Sequence, residues 1–161
     1  MVQWSLNGLL AILAQIKFIV SLATFVLIIY TRSIHFMYFV VGACLTAILG
    51  KVLKRIFQQS RPQGSGYGMP STHSQVIMFF ATYFHCVAYT SMPSLVCCVS
   101  LLALAVVWSR VQLKHHTLSQ VTVGTLLGIL CALLWYAAWS TILSPLIVEY
   151  SPFPRFFIFV S

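Results

Sequence analysis

The chain has 161 residues, 60% of them hydrophobic and only 6% charged, with nine Lys and Arg against a single acidic side chain, Glu149. That composition belongs to the membrane class. One carboxylate excludes, for the chain acting alone, two-metal hydrolysis, paired-carboxylate acid/base work and an aspartyl nucleophile, all of which need carboxylates in number.

A bilayer core takes about 20 apolar residues per helix, and five stretches approach that length: residues 9–30, 34–53, 72–90, 93–109 and 118–142. They predict an all-α, polytopic transmembrane helical bundle of about five spans, a single integral-membrane domain over residues 1–161. No basic region precedes the first stretch, which predicts an uncleaved anchor instead of a signal peptide. Lys17 lies inside that stretch and is expected to snorkel to the interface. Residues 54–70 carry RPQGSGYGMP and predict a Gly/Pro-rich loop. Beyond Ser144, the prolines 145, 152 and 154 predict an interfacial or half-inserted end instead of a sixth span.

Five spans place the loops 54–70 and 110–117 on the same face as the N-terminus, so most basic residues share one side. With Lys54, Arg61 and Arg110 set aside for chemistry, Lys51, Arg55 and Lys114 stand against Arg32 and Arg155, which gives no orientation by charge. The net charge of +8 would suit nucleic acid, but the cations stand at the ends of apolar runs and form no stripe or tail, so nucleic acid is not an expected partner. The lipid bilayer is. Cys44, Cys86, Cys97, Cys98 and Cys131 lie inside apolar segments without CxxC spacing, and none has an Arg six residues downstream. They are expected to be small buried hydrophobes, not metal, redox or phosphatase cysteines.

Three motifs carry chemistry. In KRIFQQSRP (residues 54–62), Lys54 and Arg61 are seven apart, about two helical turns, ahead of a helix-ending Pro62. Such a pair grips phosphate oxygens, Arg61 by a planar fork and Lys54 as a point charge, or simply caps a membrane helix. In YGMPSTHSQ (residues 67–75), Pro70 and Ser71 fit a helix N-terminus, where free N–H groups attract an anion, and His73 falls in the first turn. In SRVQLKHHTLSQ (residues 109–120), Arg110 follows one span, His116 precedes the next, and Gln120 is one turn past His116. An imidazole so placed has one nitrogen oriented by an acceptor while the other attacks. His115 is expected to be a bystander, and His35 and His85 to be packing or interface residues. All three motifs fall at helix ends or loops on one face, and together they supply what metal-free phosphoryl transfer needs.

In order and spacing these motifs resemble the type-2 phosphatidic acid phosphatase superfamily, whose pattern is K-x6-R-P, P-S-G-H and S-R-x5-H-x3-D. Here it reads Lys54 to Pro62, Pro70-Ser71-Thr72-His73, and Ser109-Arg110 to His116 with Gln120 last. Thr72 stands for Gly and Gln120 for Asp. With that Gln, YGMPSTHSQ and SRVQLKHHTLSQV resemble the dolichyl diphosphate phosphatase subgroup. The resemblance implies a histidine mechanism without metal or cofactor. His116 would be the nucleophile and Gln120 its orienter, and His73 would be the acid and then the base. Lys54, Arg61, Arg110 and the backbone near Ser71 and Thr72 would hold the phosphoryl oxygens. It also implies a polyisoprenoid diphosphate lipid as substrate, and an endoplasmic reticulum membrane protein with a lumenal site that recycles the glycan carrier for N-glycosylation. Phosphatidate, sphingoid phosphate or short prenyl diphosphate remain alternative substrates. A catalytically silent lipid-binding relative is the rival from another class, because Gln120 brings no charge, and a histidine-rich metal transporter is a third.

Overall fold

The computed structural model describes residues 33–150 except residue 64, together with residues 8 and 26. Expectations for residues 9–30, Lys17, Arg32, Arg155 and the prolines 152 and 154 lie outside the described residues. Those described are all-α: α1 (Ile34–Phe57), α2 (Thr72–Ala88), α3 (Pro93–Gln112), α4 (Leu118–Ala138), a π-helical turn (Trp139–Leu143) and α5 (Ser144–Tyr150). Among them, three helices are long and apolar enough to cross a membrane: Ile34–Phe57, Pro93–Gln112 and Leu118–Ile147. This is a multi-pass membrane protein.

Each boundary has a local cause. Helix α1 runs past residue 53 and puts Lys54 and Arg55 in its last turn, where cations suit the negative end of the dipole. It stops at Gln58, whose left-handed φ of 47° turns the chain while its N–H still bonds the Lys54 carbonyl. The prediction that Lys54 and Arg61 lie two turns apart on a helix is thereby corrected: Arg61 is in the loop. Ser71 caps α2, Pro93 opens α3, and Thr117 caps α4. Pro145 does not end the helical run. The Ser144 N–H reaches back five residues to the Trp139 carbonyl, and this widened turn precedes a proline in the first turn of α5, where its missing N–H matters least.

Helix α2, 17 residues and about 25 Å long, lies at the centre and packs on α1, α3 and α4. Its Phe79, fully buried, and Tyr83 form the core with Ala43 of α1 and Ala132 of α4. Helix α4 approaches its first turns most closely, because Gly124 and Gly128 face the carbonyls of Ser71 and Gln75 with no room for a Cβ. At the other end of the bundle Tyr38 Oη donates to the Trp135 carbonyl and Trp135 Nε1 to the Tyr38 carbonyl, both at 3.0 Å. Such paired polar contacts tie helices together where burial of apolar area cannot discriminate.

The outer faces are apolar, with Leu101, Leu102, Leu104, Leu126, Leu130 and Leu134 exposed. This corrects the cysteine prediction. Cys44, Cys97 and Cys98 are exposed on the helical surface, Cys86 and Cys131 are partly buried, and all five are free thiols. In a membrane helix the face toward lipid is as apolar as the face toward protein, so apolar context does not report burial.

Candidate active site

The C-terminal ends of α1 and α3 and the N-terminal ends of α2 and α4 converge and bring the three sequence motifs together, the third spanning the end of α3 and the start of α4. The connection between α1 and α2 forms a collar across this end. Gly68 N–H donates to the Gln59 carbonyl at 2.6 Å, and Ser60 and Tyr67 form an antiparallel bridge. The collar's Tyr67 carbonyl accepts from Lys54 Nζ and from Arg61 Nε, each at 3.2 Å. The first motif therefore converges its two cations on one oxygen although they lie on different kinds of backbone.

Ser71 Oγ receives Ser74 N–H at 3.5 Å and Ser74 Oγ at 3.0 Å, which starts α2 and fixes His73 in its first turn. The Ser71 N–H itself donates to the Gln120 carbonyl at 3.0 Å. That bond joins the second motif to the third, and it means that wholly buried Ser71 spends its amide inside the protein. Thr72 Oγ1 is on the side of α2 that faces Gly50 of α1.

The third motif turns through Lys114, whose φ of 53° is left-handed, and His116 N–H returns to the Arg110 carbonyl at 3.2 Å. The turn exposes His115 and buries His116 and Arg110, at 6% and 5% exposure. Thr117 and Gln120 then form a capping box: Gln120 N–H donates to Thr117 Oγ1, and Thr117 N–H to Gln120 Oε1, both at 3.3 Å. The same Oε1 lies 3.1 Å from His116 Nδ1. Gln120 Nε2 donates to the Ser60 carbonyl at 2.9 Å and to Gln59 Oε1 at 3.1 Å. Every hydrogen-bonding direction of this fully buried amide is used.

These contacts set the electrostatics of His116. Burial pushes its pKa down to about 4, and the charges of Lys54 and Arg61 push the same way, against the hydrogen bonds to Gln120 and the Gly68 carbonyl, which raise it. At neutral pH the ring is uncharged. With Oε1 of Gln120 accepting from Nδ1–H, the lone pair is on Nε2.

Lys54, Arg61, Ser71, His73, Arg110, His116 and Gln120 are thus gathered at one end of the bundle. His35 and His85 are not. His35 is buried at the opposite end, 2.8 Å from Tyr83 Oη and stacked on Trp139 at 4.3 Å, and exposed His85 rests on Tyr89. Among the described residues, no three His, Cys, Asp or Glu side chains are grouped to hold a metal ion. Sequence reasoning missed the collar's contribution: Gln59, the Ser60 and Tyr67 carbonyls, and Gly68, where a Cβ would come within 2.5 Å of Gln120 Oε1. Main-chain acceptors leave no side-chain signature, but the glycine and the paired glutamines were visible.

A neutral buried histidine held by an amide, with cations converging beside a helix N-terminus in a membrane bundle, is an arrangement suited to an anionic group at the end of an integral-membrane helical bundle. The sequence pattern of the PAP2 superfamily matches residues 35–143, and the chain belongs to that superfamily of phosphatases. It is similar to human dolichyldiphosphatase 1, with 33% identity over 91% of this chain and 70% of the relative. The dolichyldiphosphatase of Saccharomyces cerevisiae is 36% identical over 67% of this chain and 53% of the relative. Lipid phosphate phosphatase epsilon 2, chloroplastic, of Arabidopsis thaliana is 38% identical over 64% of this chain and 39% of the relative. No solved structure matches it.

Proposed function

We propose that this protein hydrolyses dolichyl or another polyprenyl diphosphate to the monophosphate through a phosphohistidine on His116. The observation that carries the proposal is the His116–Gln120 pair: a buried, uncharged imidazole whose Nδ1–H is held by an amide oxygen 3.1 Å away. The similarity to dolichyldiphosphatases from human and yeast supports the choice of substrate.

In this reading the terminal phosphoryl group enters where the Tyr67 carbonyl now receives Lys54 and Arg61, and Arg110 supplies a third charge. With the Ser71 amide committed to Gln120, the N–H of Thr72, in the first turn of α2, serves as the anion-binding amide of the helix end. His116 Nε2 attacks the terminal phosphorus and the bridging P–O bond breaks. His73 gives its proton to the departing lipid monophosphate, then takes one from water as that water attacks the phosphohistidine. Inorganic phosphate leaves and His116 is regenerated. No metal or cofactor is called on. The lipid tail stays in the bilayer, five spans form one membrane domain, and the protein sits in the endoplasmic reticulum with its site toward the lumen, recycling the carrier for N-glycosylation.

The test is phosphate release from dolichyl diphosphate in detergent micelles containing a chelator, comparing unaltered protein with His116→Ala, alongside phosphatidate, sphingoid phosphate and short prenyl diphosphates. Metal-independent release that vanishes in the variant supports the proposal. The likeness to plant lipid phosphate phosphatases favours a lipid monophosphate as the second reading, and a preference for monoesters would select it. No release from any lipid, with the protein folded, would leave a silent lipid-binding relative.

A further inference from the structure

We infer that exposed Gln59 is a positioning residue for the His116 nucleophile, acting through Gln120, and that the acceptors around Gln120 are the reason an amide and not a carboxylate stands at that position. The inference rests on the phosphohistidine reading above and goes beyond it.

Two of the four groups around the Gln120 amide belong to the main chain and so have only one sense. Thr117 N–H can only donate and lies 3.3 Å from Oε1; the Ser60 carbonyl can only accept and lies 2.9 Å from Nε2. The amide therefore cannot be turned over without breaking both bonds. Its second Nε2 hydrogen needs another acceptor, and Gln59 Oε1 supplies it at 3.1 Å. Gln59 is held in place for this, because its own carbonyl receives Gly68 N–H across the collar. Gly68 in turn closes over the amide with no room for a side chain.

The sense of this amide biases the tautomer of His116, whose ring also meets the Gly68 backbone. With Oε1 toward the ring, the proton belongs on Nδ1 and the attacking lone pair on Nε2. With Nε2 of Gln120 toward the ring, the proton would move to the far nitrogen and the nucleophile would be blocked. The Thr117 N–H and the Ser60 carbonyl exclude that second arrangement, and Gln59 Oε1 adds a further bond that holds the first. A carboxylate at position 120 would satisfy His116 and Thr117, but it would set a charged oxygen against the Ser60 carbonyl, acceptor against acceptor, and would require Gln59 to turn its amide over. In this chain the amide at 120 and the acceptors that face it, the Ser60 carbonyl and Gln59 Oε1, belong together.

The test uses full-length protein in detergent micelles with dolichyl diphosphate as probe, and histidine labelled with nitrogen-15 to read the ring nitrogens, His116→Ala serving to assign the signal. Gln59→Met removes the second acceptor from an exposed position. It should lower kcat by about 3- to 10-fold with little change in KM, the loss of one hydrogen bond, and move the His116 ring-nitrogen signal as the His116–Gln120 bond loosens. Gln120→Glu should lower turnover further. Gln59→Lys should depress turnover in the native background yet raise it when combined with Gln120→Glu, since an ammonium donates to a carboxylate but not to an amide N–H. Unchanged kcat and an unchanged ring signal in Gln59→Met would overturn the inference. So would Gln120→Glu matching the unaltered protein whatever residue is at 59. If the unaltered protein releases phosphate from no lipid, the phosphatase reading fails, while the ring-nitrogen spectra of the same variants still decide the positioning role.

Discussion

Gly124→Ala adds one methyl group where α4 crosses the start of α2. The new Cβ would stand 2.5 Å from the Ser71 carbonyl oxygen, and 3.2 and 3.3 Å from the Ser71 nitrogen and carbonyl carbon. Ordinary contact begins near 3.4 Å, so the two helices must part by about 0.9 Å, and the obstacle is backbone that cannot swing aside. Overpacking of this kind costs about 1–3 kcal/mol, and alanine in a helix interior is better than glycine by about 1 kcal/mol. The net loss of stability is therefore small, about 0–2 kcal/mol. The chemistry has no such offset. The displaced contact carries the 3.0 Å bond from Ser71 N–H to the Gln120 carbonyl, a direct tie between the His73 turn and the His116 turn. Misplacement of reacting groups by about 1 Å costs about 100-fold in rate. One detergent preparation serves both assays: thermal unfolding by circular dichroism, expected to move by a few degrees, and initial-rate phosphate release, expected to fall about 100-fold. A kcat within threefold of the unaltered protein would refute the reasoning that this helix contact sets the distance between the two histidines.

His116→Ala should abolish turnover and His115→Ala should leave it nearly unchanged, because one ring is buried on Gln120 and the other is exposed; the reverse result would show the third motif to be misread. Arg61→Ala and Arg110→Ala should each cost about 10²- to 10³-fold in kcat, the loss of a charge used in the transition state, while thermal unfolding reports whether the fold survives. Protonation of His116 removes its lone pair, so kcat/KM should fall as pH drops through about 4. A kinetic acid limb assigned to His116 at its ordinary value near 6.5 would contradict its burial. Trp135→Phe removes the bond from Nε1 to the Tyr38 carbonyl at the opposite end of the bundle. It should lower stability by about 1 kcal/mol and leave phosphate release intact.

Hydropathy and motif spacing made the helices and the gathering of three motifs legible, because both rest on local rules: apolar length for a helix in lipid, a cap at Ser71 and at Thr117, one turn from His116 to Gln120. The sequence misled where two environments share one chemistry. Cysteines in apolar runs read as buried, yet Cys44, Cys97 and Cys98 face outward, since lipid and protein core favour the same residues. The step from Lys54 to Arg61 read as two helical turns, but Gln58 adopts φ 47° and breaks the helix between them. No propensity for Gln forces that conformation; the collar closed by Gly68 and Tyr67 does. The same collar was invisible as part of the site because its working groups are carbonyl oxygens, which every residue carries.

Those carbonyls explain how a chain with one acidic residue holds a cluster of cations in readiness. Lys54 Nζ and Arg61 Nε both lie 3.2 Å from the Tyr67 oxygen, so two like charges are held close by a dipole instead of a counter-ion. A carboxylate there would pair with them and would have to be displaced by the incoming phosphate at the cost of two charge-assisted bonds. A neutral carbonyl steers the cations to one point but leaves their repulsion largely uncompensated, and on the proposed function an arriving phosphoryl group, with several charged oxygens, would relieve it. The scarcity of acidic residues and the amide at position 120 then have one physical meaning. On the proposed function, the site keeps its positive charge until the substrate headgroup neutralises it.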